Sequence, residues 1–184
     1  VTAEVEGSAA ALNAALKEVS ANAITVILTG TTATAKDLKE LATKTSKTID
    51  ASGIETITGN AADVTKVLTD NNTLADNVAT TVTGTVTIAE IIAIKALATT
   101  GVIKATLEGS ATELATLTTS NSDLLTLKVT GTTATALELT TIDSKTSVVV
   151  NASAIKDISG AAADLKTMYA SKTISGLGNE AVTI

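Results

Sequence analysis

Residues 49–68 read IDASGIETITGNAADVTKVL, and residues 150–165 repeat their first part with related side chains as VNASAIKDISGAAADL. In the first stretch a run rich in β-branched residues ends at Gly59, and an Ala-rich run with apolar residues at Ala61, Val64, Val67 and Leu68 follows it. The first run has the period of a strand with one buried face, and the second has that of a helix laid on a core. One strand, one tight glycine turn and one short helix form the unit from which the fold is predicted.

The same transition recurs along the chain at Gly7, Gly30, Gly59, Gly84, Gly109, Gly131 and Gly160, with AVTI (Ala181–Ile184) beginning an eighth strand. Successive glycines stand 23, 29, 25, 25, 22 and 29 residues apart. A longer period overlies this one. Gly30 to Gly131 and Gly59 to Gly160 are separations of 101 and Gly7 to Gly109 is one of 102, and GTTATA recurs intact at 30–35 and 131–136.

Two residues before each glycine stands an aliphatic side chain: Val5, Leu28, Ile57, Val82, Leu107, Val129 and Ile158. Four before, Ala3, Val26, Thr80, Ala105 and Leu127 continue the inner face, whereas Glu55 and Lys156 break it. A one-residue offset restores Ile54 and Ile155 inward, so bulges are predicted there. Helix starts are marked by Thr34 with Asp37, Asn60 with Asp63, Thr87 with Glu90, Ser110 with Glu113 and Thr135 with Glu138, all at capping-box spacing.

One such unit buries too few aliphatic side chains to offset the cost of ordering its residues, so units must stack. The prediction is an α/β fold: a right-handed α/β solenoid of about seven strand-turn-helix repeats of 22–29 residues, a parallel sheet on one side and helices on the other. Residues 1–184 are read as one repeat domain, a piece of a longer array. Val1–Val5 and Ala181–Ile184 would be open sheet edges, to be covered by neighbouring repeats or by copies of the chain itself.

Composition narrows function. The 184 residues include no Phe, Trp, Cys, His or Pro and one Tyr, all 13 basic residues are Lys, and the net charge is -6. Zinc sites of the usual kind, disulfides, thiol catalysis and the ordinary catalytic triad lack their residues. A pI near 4.6 without Arg or stacking rings speaks against nucleic acid. The longest apolar run, Ile88–Leu97, holds Glu90 and Lys95 and is too short to span a bilayer, so no membrane insertion is expected. Neither a catalytic residue, a cofactor nor a metal is assigned.

The candidate contact face is the sheet surface away from the helices. It carries Thr29, Thr58, Thr83 and Thr130 one before a glycine and Thr56, Thr81 and Thr106 three before one. A regular array of hydroxyls and methyls on a flat sheet can bind a glycan or ice. Thr is also an ordinary exposed β-former, and Glu6, Glu108 and Lys128 interrupt the array. Glu4, Glu6, Glu108 and Asp157 read as solvated carboxylates, for no calcium-loop spacing surrounds them. Ser171-Lys172 and Thr45-Ser46-Lys47 are chance neighbours in this composition. GLGNE at 176–180 reads as a return loop, and Met168 and Tyr169 as core of the last helix.

NASAIKDISGAAADLKTMYASKTISGLGNEAVTI, with its partner IDASGIETITGNAADVTKVL, resembles the Thr/Ala-rich repeats of very long secreted proteins of cyanobacteria and related bacteria, often labelled hemolysin-type calcium-binding. The resemblance implies a place in the exoproteome or at the cell surface. The calcium label of such proteins belongs to separate Gly/Asp-rich repeats, so it implies no calcium ligand here. The expected function is that of a non-enzymatic spacer or adhesive segment of a large secreted or surface protein. Alternatives are glycan or ice binding on the Thr face and self-assembly into filaments or a lattice.

Overall fold

The computed structural model describes residues 3–70, 72–98 and 100–184. It is an α/β structure with parallel sheets and helices. The first turn is β1 (Glu4–Gly7) followed by α1 (Ala9–Ala15). The next three turns each carry two strands separated by a corner. They are β2 (Thr25–Leu28) and β3 (Thr32–Thr34) before α2 (Ala35–Ala42); β4 (Ile49–Ala51) and β5 (Thr56–Gly59) before α3 (Ala61–Thr69); and β6 (Asn72–Leu74) and β7 (Ala79–Val82) before α4 (Ile88–Leu97). In the fifth turn one long strand, β8 (Ile103–Ser110), runs straight into α5 (Ala111–Ala115). β9 (Leu124–Thr130), β10 (Thr133–Thr135) and α6 (Ala136–Asp143) follow, then β11 (Val150–Asn151), β12 (Asp157–Ser159) and α7 (Ala162–Ala170). The described chain closes with β13 (Ile174–Ser175) and β14 (Ala181–Thr183).

Backbone contacts divide the chain into two compact units, Val1–Gly84 with Ala93–Ile103 and Thr85–Ile92 with Lys104–Ile184. In the first, β1, β2, β4 and β6 are neighbours in that order, and so are β3, β5 and β7; every pair is parallel. In the second the rows are β8, β9, β11, β13 and β10, β12, β14, again parallel. Within each unit, each turn therefore adds its strands beside those of the turn before.

The registers show that the glycines are of two kinds. Gly7, Gly59, Gly109 and Gly160 directly precede the helix caps, whereas Gly30 and Gly131 sit four residues before theirs, at the corner between two strands, and Gly84 lies in the link from β7 to the Thr87 cap. Thr34 lies opposite Thr58, so Gly59 falls beside Ala35, not beside Gly30, and a Cβ on it would lie 2.8 Å from Ala35 Cβ. At the corner the need is conformational: Gly30 has φ +93° and Gly131 φ +87°, with open space where a side chain would go. Counted from cap to cap (Ser8, Thr34, Asn60, Thr87, Ser110, Thr135, Ala161), the turns are 26, 26, 27, 23, 25 and 26 residues long. This is a more even period than the glycines display.

The same corners replace the predicted bulges. Ile54 and Ile155 do point into the core, with 1% and 3% exposure, but they follow strand breaks at which their N–H groups bond the carbonyls of Ala51 and Ala152. The inner face otherwise runs as the alternation requires. Val26, Leu28, Ile49 and Ile57 are buried in the first unit against Leu38, Leu41, Val64 and Val67 of its helices, and Leu107, Leu125, Leu127 and Val129 in the second with Leu114, Leu139 and Ile142.

All five caps form, each side chain accepting the N–H three residues on. Where that residue is Glu, its carboxylate reaches back to the cap's N–H at Thr87, Ser110 and Thr135, completing the box. Asp37 and Asp63 are one methylene shorter and accept from the side chains of Thr34 and Asn60 instead. Between turns, the buried Thr45 donates to Ile24 C=O and the buried Thr146 donates to Leu125 C=O while accepting from Leu125 N–H. Neighbouring helices are tied by Asn13 to Asp37, by a Lys39–Asp63 ion pair and by Thr112 to Glu138.

Candidate functional site

Strands β3, β5 and β7 turn Thr32, Thr34, Thr56, Thr58 and Thr81 to the same face. Thr32 lies opposite Thr56, and Thr34, Thr58 and Thr81 form one rung-to-rung row. In the second unit the corresponding rows are Thr133, Asp157, Ala181 and Thr135, Ser159, Thr183. All are exposed or half-exposed. Parallel pairing spaces the rungs ~4.8 Å apart, and alternate residues on one strand stand ~6.6 Å apart, so each face is a small rectangular lattice of hydroxyls and methyls.

Of the seven expected contact residues, the structure brings together Thr56, Thr58 and Thr81 on β5 and β7. Thr106 lies on β8 opposite Thr126, and Thr130 ends β9 opposite Ser110. Thr29 and Thr83 sit just past strand ends, their N–H groups bonding Gly7 and Gly59 C=O of the preceding turn at 3.0 and 2.8 Å. Thr32, Thr34, Thr133 and Thr135 fall outside the expected column because a glycine taken as the strand end leaves them in the turn, and Thr183 because no glycine follows its strand. The signal for them is the Thr-x-Thr spacing itself, present at 32–34, 56–58 and 133–135.

The hydroxyls differ in what they have left to offer. Thr34 and Thr135 are occupied as caps, whereas Thr56, Thr58 and Thr81 bond no other group among the described residues. In the second unit a depression of about 250 Å³ opens among Thr112, Thr133, Asp157, Ser159 and Thr183, with Glu138 at its side. The Thr112 hydroxyl and the Thr135 N–H hold the Glu138 carboxyl below its usual range against the opposing effect of burial, so both of its oxygens are already engaged. Asp157 is exposed there. Such a surface can hydrogen-bond a polyhydroxylated or hydrated ligand.

The other candidates resolve into structural roles. Glu108 pairs with Lys128 at 3.1 Å, Glu4 and Glu6 lie on β1, and Asp157 lies on β12. Among the described residues no group of three or more acidic side chains is placed to hold a metal ion. Ser171 is hydrogen-bonded to Asp143, and Thr45 is the buried stitch already described. In the loop at 176–180 the N–H groups of Gly178 and Asn179 close on Glu180, and the chain turns into β14. Met168 is buried, but Tyr169 is 45% exposed and gives its hydroxyl to Glu180 at 2.5 Å. Among the described residues no helix is long and apolar enough to cross a membrane; α4 has 10 residues.

No family model, curated protein or solved structure matches the chain.

Proposed function

We propose that the chain is a non-enzymatic α/β solenoid serving as a spacer or adhesive segment of a secreted or surface-displayed repeat protein. The observation that carries this reading is the turn-by-turn parallel pairing in each unit, at a cap-to-cap period of 23–27 residues. A repeat whose bonds and buried faces are met by the turns beside it extends by addition, which suits a spacer. The right-handed coil follows from the general chirality of strand-helix-strand crossovers. The resemblance to Thr/Ala-rich bacterial exoproteins supports the location. The test is a covalent tandem of two chains measured by small-angle scattering. Its maximum dimension should grow by about 4.8 Å per added turn; an unchanged dimension would sink the reading.

A second reading is favoured by the unbonded Thr56, Thr58 and Thr81: the lattice binds a glycan or ice. Replacing Thr58 and Thr81 with Lys should abolish retention on a polysaccharide column or the shaping of ice crystals. Retention or shaping by the unaltered chain that survives the change counts against this face.

A further inference from the structure

We propose that a hollow at the C-terminal turns of α2 and α3, bounded by the starts of β4 and β6, binds an acidic sugar through its carboxylate or sulfate; the site stands apart from the Thr row on β3, β5 and β7 and from the spacer role. The hollow measures about 320 Å³, and Lys39, Lys47 and Lys66 line it together with Ser46, Asp70 and Asn72. That volume is at the lower end of small-ligand clefts. In a chain of net charge -6, three of the 13 lysines converge here. Lys39 is paired with Asp63 and Lys66 with Asp70, each through one carboxylate oxygen. An ammonium group has three N–H donors, so both keep donors to spare. Lys47 has no acidic partner among the described residues, and its Nζ donates to the Thr25 hydroxyl at 3.1 Å. Three cations against two carboxylates leave one positive charge over, in a concave wall that concentrates its field. Groups for a hydroxylated ring stand beside it. The Ser46 hydroxyl bonds no other group among the described residues, and Asn72 gives its amide N–H to Val67 C=O but keeps its own carbonyl oxygen.

The internal repeat shows that the fold does not require these lysines. At the offset of 101 residues the buried Thr45 and Ile49 answer to Thr146 and Val150, which are buried in the same way. Lys39, Lys47 and Lys66, however, answer to Thr140, Val148 and Thr167. Ala42, Asp70 and Asn72, which all line the hollow, answer to Asp143, Ser171 and Thr173. In that copy the Asp143 carboxylate takes the hydroxyls of Ser171 and Thr173 at 3.0 and 2.9 Å, so the three positions are bonded to one another. Where Asp143 reaches across, Ala42 cannot. One copy is thus tied shut by its own side chains, and the other is left open and ringed with cations. Long lysine side chains lose much rotamer freedom when held in place, and the scaffold gains nothing from them that its second copy lacks. A ligand of opposite charge accounts for their convergence.

The test is an amide NMR titration of the chain with galacturonate, galactose 6-sulfate, galactose and inorganic sulfate at matched ionic strength. Galacturonate or galactose 6-sulfate should shift residues 42–49 and 66–72 and saturate, the tighter of the two identifying the oxyanion. Galactose and inorganic sulfate should bind far more weakly, the one lacking the charge and the other the ring. Raising salt from about 20 to about 200 mM should weaken the binding several-fold. Lys47→Gln should lower the affinity about tenfold, and Lys47→Arg should keep most of it. Lys145→Gln, in the corresponding turn of the second copy, should change nothing. Lys47 is exposed and its side chain bonds a single hydroxyl, so its variants should fold, which melting profiles check. Lys66→Gln gives a second reading at the same hollow. Absence of saturable shifts with both acidic sugars at millimolar concentration overturns the proposal. So does equal binding of galactose or inorganic sulfate, equal shifts at residues 143–148, or undiminished binding by folded Lys47→Gln and Lys66→Gln.

Discussion

Two residues show what a single side chain does here. Thr146 is buried and serves four backbone groups, donating toward Asp123 and Leu125 C=O and accepting from Leu125 and Val148 N–H. Thr146→Val keeps its shape but strands those amides, so chemical denaturation should show a loss of about 1–3 kcal/mol, while Thr146→Ser recovers most of it. Gly131 is needed only for its backbone angle, since nothing lies within 4 Å of a Cβ built on it. Gly131→Ala should cost about 1 kcal/mol in the same measurement, and Gly131→Asn less, because Asn tolerates left-handed backbone. If the two variants lose equal stability, steric crowding at the corner, not its angle, is the cause.

At the scale of the element, the helices are short and depend on their first turns. The Thr87 N–H and hydroxyl hold Glu90 below its usual range, the Ser110 hydroxyl and N–H do the same for Glu113, and Thr112 with Thr135 for Glu138. A carboxyl depressed in the folded state adds stability that is present above its ordinary value and is lost as pH falls through the folded one. Glu180 acts in the same direction: burial raises it, but donation from Tyr169, Gly178 and Asn179 outweighs that. Tyr169 is pushed up to about 12, first by burial and then by its bond to Glu180. The folded state thus keeps a proton that the unfolded chain releases near the ordinary value of 10, and stability declines from there through 12. Denaturation profiles should fall on the acid side below the usual Glu range and on the alkaline side above 10. Tyr169→Phe should flatten the alkaline limb and, by removing one donor to Glu180, slightly weaken the acid one. A variant with Thr87→Ala, Ser110→Ala and Thr135→Ala loses the hydroxyl donors but keeps the backbone ones, and should weaken the acid limb in part while leaving the alkaline one unchanged.

Across the whole molecule, the strands, helices and caps were legible because period and capping chemistry are local properties of the chain. Leu12, Leu38, Val64, Leu114 and Leu165 occupy the helix faces that their spacing assigns. Which strand sits beside which was not legible from glycine alone, because one residue type meets two needs: close approach at Gly59 and a left-handed angle at Gly30. That confusion placed Thr32–Thr34 in a turn when they form a strand, and so hid two of the five threonines on the first unit's face. Two deletions separate the periods. Removing residues 35–60, a cap-to-cap interval of 26, joins Thr34 to Ala61 and keeps an Asp at the third helical position. It should give a shorter chain with a cooperative melt. Removing residues 31–59, a glycine-to-glycine interval of 29, erases β3 and β5 and leaves β2 to enter α3 directly, and it should lower the melting temperature or broaden the transition.

The polar links between turns join residues 20 to 30 positions apart, from Glu108 with Lys128 to Asp143 with Thr173. Loop closure over such a distance costs about the same at every turn, however many turns a chain contains. Each turn can therefore close as soon as the one after it has been delivered. A chain built in this way can fold progressively as it leaves a ribosome or a narrow channel end first, with little apolar surface waiting for a distant partner.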